Sequence, residues 1–499
     1  MTVSASRPHR TPDPASMQQK PFYITTSIPY VNAAPHIGHA EEFVQADIIA
    51  RYQRLRGRDV RFLSGTDDNA LKNVLKAEEA GEPVAQYVSR HADIFEDLLQ
   101  KLAISNDDFI RTASDPRHAR GAQKLWQAFK PEDVYKKSYK GLYCVGCEEF
   151  KTEKDLVHGE CPEHPGKKLE EVEEVNHFFR LGNYAATLEE LLVSGSLKIV
   201  PESRKNEVLA FIRGGLEDLS ISRSRARARD WGVPVPGDDG QVMYVWVDAL
   251  SNYITALGYA DEGNLYQKYW AGEADKVHVI GKGISRFHAI YWPAFLLSAG
   301  VPLPTELFVH GYLTVDGQKM SKTIGNVIDP FELITEYGAD ATRFFLARHI
   351  HPFEDSDFTR ERFREAYNAD LANGLGNQAA RIMKLAQDNL DRPVELSAES
   401  LTLQQPFCEL VEKYELSAAT ALIWEHISKA DLYIQEKKPF TLVKSDDTRE
   451  EGKEIIAKLV NHLAMIATHL APIMPETAAK IMTAIKENKK PENLFARKD

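Results

Sequence analysis

The sequence predicts an α/β protein: a parallel sheet wrapped by helices, interrupted by an inserted lobe and followed by an all-α bundle. Three observations carry this expectation. Strand-like runs at Phe22 to Ile28, Val60 to Ser64, Lys276 to Gly281 and Leu307 to Val309 alternate with helical periodicities. Between 134 and 236 the composition shifts to tight turns, charge-rich segments and clustered cysteines, which marks an insertion. From about Phe331 onward strand signals fade and amphipathic helices take over. There Phe363, Tyr367, Leu371 and Leu375 recur every four residues, and Leu422, Ile423, His426, Ile427, Ala430, Tyr433 and Ile434 mark a second apolar face.

In chain order, residues 1–20 read as a disordered tail, rich in Ser, Thr and Pro around Arg7 and Arg10. The first strand-like run then leads into a helical stretch from Glu41 to Leu55. No run approaches the roughly 18 uncharged apolar residues of a membrane helix, and 499 residues, 43% of them hydrophobic, suffice for several cores. The net charge of −12 does not exclude a nucleic-acid partner, because binding depends on local basic surface. The most basic stretch holds Arg223, Arg225, Arg227 and Arg229, and reads equally as a solvated edge or as an RNA-backbone contact.

Only four cysteines occur, and three of them cluster. Cys144-x2-Cys147, then thirteen residues, then Cys161-x2-His164 form two chelating knuckles with the donors that zinc prefers. Four protein ligands close a tetrahedral site, so the expected ion is structural. The usage fits a reducing compartment, hence a cytoplasmic protein, and Cys408 reads as core.

Two motifs set the functional expectation. Pro35-His36-Ile37-Gly38-His39 lies between strand and helix signals, where backbone N–H groups can meet phosphate. Far downstream, Lys319-Met320-Ser321-Lys322-Thr323 supplies two cations in a loop containing Gly and Ser. Together they resemble the HIGH and KMSKS motifs of class I aminoacyl-tRNA synthetases, and their flanks resemble the methionyl-tRNA synthetase family from about Pro21 to the end. The resemblance implies a Rossmann-like catalytic domain in two halves, 21–133 and 237–330, and a zinc-containing connective insertion at 134–236. A linking stem-contact region at 331–360 and a helical anticodon-binding domain at 361–499 complete the expected order.

It also implies a ligase of protein biosynthesis that forms methionyl-adenylate from methionine and ATP, then esterifies the terminal 2′-hydroxyl of a tRNA with a CAU anticodon. In-line attack on the α-phosphate is governed by positioning and charge stabilisation. His36 and His39 can donate to phosphate, and Gly38 lets the backbone approach the nucleotide. Lys319 and Lys322 can neutralise the leaving group. Glu42 is expected beside the adenosine, and Mg²⁺ is expected to arrive largely with ATP.

A methionine side chain is best held by aromatic and aliphatic walls. The expected pocket comprises Ile28, Tyr30, Trp246, Ala249, Leu250, Tyr253, Phe287, His288 and Trp292, with Asp67 on the substrate's ammonium. Asn69-Ala70 replaces a common His-Gly, and Gly283 stands where an aspartate is frequent. Asn377 and Arg381, spaced i, i+4, with Phe440, match the anticodon-reading positions. A synthetase for leucine, isoleucine or valine is disfavoured by the aromatic pocket and the short insertion; a non-catalytic paralogue is disfavoured by the intact lysine loop. A monomer is expected.

Overall fold

The computed structural model describes residues 19–499, apart from 147–148, 152, 164–165 and 321–324. Six strands form the main sheet: β1 (Phe22–Thr26), β2 (Val60–Thr66), β3 (Asp108–Arg111), β4 (Lys198–Val200), β5 (Asp275–Gly281) and β6 (Glu306–His310). Their order is β3-β2-β1-β5-β6-β4, and every neighbouring pair is parallel. β1 is buried along its whole length, as a central parallel strand covered on both faces must be. Phe22 and Ile24 face one apolar core and Tyr23 the other, the alternation that a strand imposes.

The order switches direction at β1. Its sequence neighbour β2 lies on one side, while β5 lies on the other, with Thr26 opposite Val279. Crevices beyond the carboxyl ends of such strands are where open α/β sheets hold ligands. Helix α1 (Ile37–Leu55) begins at this point and packs against β1, β2 and β5.

The four strands expected from the sequence are present, each as the centre of the sheet or next to it. β3 and β4 were not expected, and both are edge strands. β4 falls inside the 134–236 stretch, so that stretch supplies part of the main sheet. The remainder carries an antiparallel pair, Val134–Cys144 with Glu170–Phe179, in register from Val134 opposite Phe179 to Tyr143 opposite Glu170.

Beyond the sheet come α2 (Ala339–Arg348), α3 (Asn377–Asn389), α4 (Leu416–Lys437), α5 (Arg449–Leu470) and α6 (Pro475–Glu487). Phe363, Tyr367, Leu371 and Leu375 are all buried, as their spacing predicts, and so are Ile423, Ile427, Ala430 and Ile434. This helical region shares one apolar core with α1 and one face of the sheet. A polar node crosses that core. Arg343 of α2, fully buried, pairs with Asp47 of α1 at 2.7 Å and donates to the carbonyls of Leu102 (3.1 Å), Pro472 (3.0 Å) and Ile473 (2.7 Å). Asp47 also takes Arg51 Nε at 2.6 Å and the Ser105 N–H at 2.7 Å. Among the described residues no helix is long and apolar enough to cross a membrane.

Candidate functional site

The amino end of α1 is capped by its own histidines. His36 Nδ1 accepts the Gly38 N–H at 3.1 Å, and His39 Nδ1 accepts the His36 N–H at 3.1 Å. The two rings stack with centroids 3.9 Å apart. An Nδ1 that accepts a backbone proton must carry its lone pair, so each neutral ring keeps its own proton on Nε2. Burial, followed by the charges of His36 and His310, holds His39 well below the usual imidazole range. The helix therefore ends in neutral N–H donors added to its own positive pole, an arrangement suited to an anion. At Gly38 a Cβ would come within 3.1 Å of the His36 ring.

Two cavities meet here. The first, about 1080 Å³ counting its mouth, is lined by Ile28, Pro29, Tyr30, Asp67, Trp246, Ala249, Leu250, Tyr253 and His288 among others. The second, about 810 Å³, is lined by Gly38, Glu41, Glu42, Gly281, Gly283, His310, Gly311, Tyr312 and Leu313. Ser27, His36, His39, Ile284 and Met320 line both, so one wall serves two chambers.

Apart from the Asp67 carboxylate, the first chamber is walled by uncharged groups. Tyr253 donates to His288 Nε2 at 2.7 Å, while His288 Nδ1 donates to the Ile284 carbonyl at 3.0 Å. Burial brings His288 down to about 4, so its ring is uncharged at neutral pH. Asp67 supplies a carboxylate to the chamber, and its N–H bonds the Pro29 carbonyl at 2.9 Å, stitching the end of β2 to the segment after β1. Two expected wall residues sit behind it. Phe287 stacks on Trp246 at 3.6 Å and 8°, backing that indole, and Trp292 is fully buried between Trp270 and Tyr253.

The second chamber is charged. Glu42 accepts the Ser27 N–H at 2.8 Å, the Ser27 hydroxyl at 2.7 Å and His310 Nε2 at 2.9 Å. His310 Nδ1 donates to the Gly311 carbonyl at 2.8 Å, so both ring nitrogens face acceptors. Burial opposes the charged ring, but the Glu42 hydrogen bond and the charges of Glu41 and Glu42 raise His310 to about 9. His310, Glu41 and Tyr312 were not singled out by the sequence; the available signal was the position of His310 at the end of a strand-like run.

The departures at 69, 70 and 283 have structural accounts. Asn69 Nδ2 donates to Asp248 Oδ2 at 2.8 Å, and Asp248 also pairs with the buried His118. Ala70 is buried at the start of the Leu71–Ala80 helix. A Cβ at Gly283 would lie 1.9 Å from Tyr312 Oη, so the tyrosine hydroxyl occupies the space of a side chain there.

The lysine motif begins in a hairpin. Strand Gln318–Lys319 pairs with Leu313–Val315 through a turn at Asp316-Gly317, both with positive φ (52° and 71°). Lys322 lies outside the described residues, with Ser321 and Thr323. Of the four expected metal ligands, Cys144 and Cys161 are buried, and Cys147 and His164 lie outside the described residues. Among the described residues no group of three or more His, Cys, Asp or Glu is poised around a metal position. Lys72 donates to the Gly146 carbonyl at 3.2 Å and lies 3.4 Å from the Tyr30 ring centroid, linking that knuckle to the first chamber.

Asn377 and Arg381 share an exposed face of α3, and Arg381 pairs with Asp431 of α4. Phe440, just past the end of α4, is 45% exposed and is therefore no core residue. The arginine cluster is committed internally: Arg223 donates to Tyr143 Oη at 2.9 Å, and Arg225, Arg227 and Arg229 pair with Asp230, Glu170 and Glu78 at 3.0, 3.1 and 3.9 Å. Cys408 is buried as expected.

Comparison with known proteins is consistent along the chain. The family model described as tRNA synthetases class I (M) matches residues 22–173 and 165–383. The methionine–tRNA ligase of Clostridium acetobutylicum is 41% identical over 482 residues, covering 94% of this chain and 74% of that one. The corresponding ligase of Brucella suis is 40% identical over 481 residues, covering 93% and 92%. A solved structure of Mycobacterium tuberculosis methionyl-tRNA synthetase in complex with methionyl-adenylate superposes with a TM-score of 0.86, at 40% identity and 93% coverage of each chain.

Proposed function

This chain belongs to the class I methionyl-tRNA synthetases, and from that premise we propose how its chambers divide the work. The protein is a methionine–tRNA ligase: it activates methionine with ATP and charges tRNA. The observation that carries the division is the shared wall of Ser27, His36, His39, Ile284 and Met320 between a chamber of mostly apolar and aromatic lining with one carboxylate, Asp67, and a chamber built around the Glu42–His310 pair. Methionine lies in the first, its thioether against Trp246, Leu250 and Tyr253 and its ammonium at Asp67. ATP lies in the second, its α-phosphate at the wall where the two meet.

The methionine carboxylate attacks the α-phosphorus in line, the bond to the bridging oxygen breaks, and pyrophosphate leaves. His36 and His39 donate Nε2–H to phosphate oxygens, with α1's N-terminus adding its dipole. Lys319 and Lys322 hold the leaving pyrophosphate, and Mg²⁺ enters with ATP. The terminal ribose 2′-hydroxyl of tRNA then attacks the adenylate carbonyl and AMP departs.

Cys144, Cys147, Cys161 and His164 would hold one structural zinc. Two buried thiols, Cys144 at the end of a strand pair and Cys161, support this fit, and the closed donor set gives the ion no catalytic position. Asn377, Arg381 and Phe440 read the CAU anticodon, the exposed phenylalanine stacking on a base. The domain boundaries given above, a cytoplasmic location and a monomeric state belong to the same proposal.

Amino-acid-dependent ATP–pyrophosphate exchange tests it. Exchange with methionine that exceeds exchange with leucine, isoleucine and valine by orders of magnitude is the expected result; preference for any of those three overturns the assignment of the first chamber.

A further inference from the structure

Within the second chamber one carboxylate has no task in the activation step as described. Glu41 of α1 is 1% exposed and lines the chamber with Gly283, His310 and Tyr312. Its Oε1 accepts Gln45 Nε2 at 3.1 Å, whereas its Oε2, fully buried, has no hydrogen-bond partner among the described residues. Buried carboxylate oxygens in folded proteins are ordinarily satisfied, so an unsatisfied one at a ligand cavity points to a ligand donor.

The location narrows the donor. Phosphate is expected at the Gly38–His39 end of α1, and an anionic side chain would repel it there. Glu41 follows His39 by two residues, about 3 Å further along the axis at 1.5 Å per residue. It is flanked by the His310 imidazolium and the Glu42 carboxylate, and Glu42 already accepts three hydrogen bonds, two from Ser27 and one from His310. Gly283, which lines the same chamber, brings no side chain, and the Tyr312 hydroxyl fills the space it leaves. Among the described residues lining the chamber, Glu41 Oε2 is the buried side-chain oxygen that lacks a partner.

We infer that Glu41 Oε2 accepts a hydrogen bond from the nucleoside half of ATP, from a ribose hydroxyl or from the adenine amino group. This rests on the second chamber being the nucleotide site. Burial drives the Glu41 carboxyl up to about 7, opposed by His310 and reinforced by Glu42, and an N–H or O–H donor from the ligand would satisfy the ionised form.

The test compares wild type, Glu41→Leu and Glu41→Gln in ATP–pyrophosphate exchange with ATP, 2′-deoxy-ATP, 3′-deoxy-ATP and purine riboside triphosphate, which lacks the amino group. Glu41→Leu should raise KM for ATP about tenfold, the loss of one hydrogen bond, with kcat within about twofold. Glu41→Gln, which can still offer an acceptor, should fall between. The penalty should vanish for the one analogue that lacks the contacted donor, and the identity of that analogue separates ribose from base. Unchanged KM in both variants, or an equal penalty across all four nucleotides, overturns the inference. Photolabelling of the wild-type chain with 8-azido-ATP keeps the two readings apart. A label outside the second chamber overturns the site, whereas a label inside it with unaltered Glu41→Leu kinetics overturns the role of Glu41 alone.

Discussion

Adding a single methyl group at position 283 perturbs the second chamber more than its size suggests. In Gly283→Ala the new Cβ would stand 1.9 Å from Tyr312 Oη and 3.2 Å from Cζ. Real Cβ contacts essentially never fall below 3.0 Å, so the hydroxyl must retreat by at least the 1.1 Å between those two distances. The tyrosine is held on several sides: Asp355 Oδ1 accepts its N–H at 2.9 Å, and Lys282 Nζ lies 4.7 Å from its ring centroid. Overpacking of this kind costs about 1–3 kcal/mol. Tyr312→Phe removes the offending oxygen and leaves Cζ as the nearest atom, at the price of the hydrogen bond that the hydroxyl accepts from the Gly283 N–H, about 1 kcal/mol. The double variant should therefore be more stable than the sum of the singles by about 1–2 kcal/mol. Urea denaturation of the four proteins measures this coupling, and the KM for ATP should follow the displacement of the ring. Strict additivity, or wild-type stability in Gly283→Ala, would show that the hydroxyl does not fill the space beside Gly283.

Three further outcomes are expected. His310, raised to about 9 when folded against about 6.5 unfolded, adds stability that is complete below about pH 6.5 and lost as pH rises through 9; wild type should exceed His310→Gln by at most about 3 kcal/mol at pH 6, and a gap that stays constant to pH 9.5 would refute the charged ring. Arg343→Met strands the buried Asp47 carboxylate and three carbonyls, so chemical denaturation should show a loss of about 3–5 kcal/mol, and a loss under about 1 would mean that the node is solvated. Arg381→Ala and Phe440→Ala should each weaken tRNA in aminoacylation by about 1–3 kcal/mol while leaving tRNA-independent ATP–pyrophosphate exchange unchanged; equal loss in both assays would assign these residues to stability and not to base reading.

The central strands are legible in the sequence because β1, β2, β5 and β6 are covered on both faces and so read as apolar runs. The edge strands are not. β3 carries Asp108 and Arg111, and β4 is three residues long, so neither offers a pattern that a turn or a helix end could not imitate. The site divides in the same way. His36 and His39 are legible because motif spacing ties chemistry to a strand-to-helix turn, whereas Asp67 is pointed to only by the resemblance of its segment to a known family. That Trp246 and Tyr253 face the chamber while Phe287 and Trp292 stand behind depends on helix register and on packing across the sheet. Glu41 is illegible for a different reason: an acidic pair early in a helix reads as a solvated face, and only its burial in the chamber that His310 and Tyr312 also line makes it unusual. The crowding of Gly283 by Tyr312 joins residues on either side of β6, a relation that no local pattern contains.

Strand β4 gives the interrupting lobe an unexpected status. A segment inserted into a finished sheet can in principle be cut out, swapped or lost, leaving the parent intact. Here the segment lends its host an edge: Lys198–Val200 pairs with Glu306–Phe308, two residues before the histidine that holds Glu42. Excision would strip β6 of its neighbour and leave a row of unpaired amide and carbonyl groups next to the second chamber, the kind of border that recruits foreign chains. The lobe and its host are therefore not separable pieces of inheritance. Shuffling between relatives must carry β4 along with its partner or supply another strand to seal the same border.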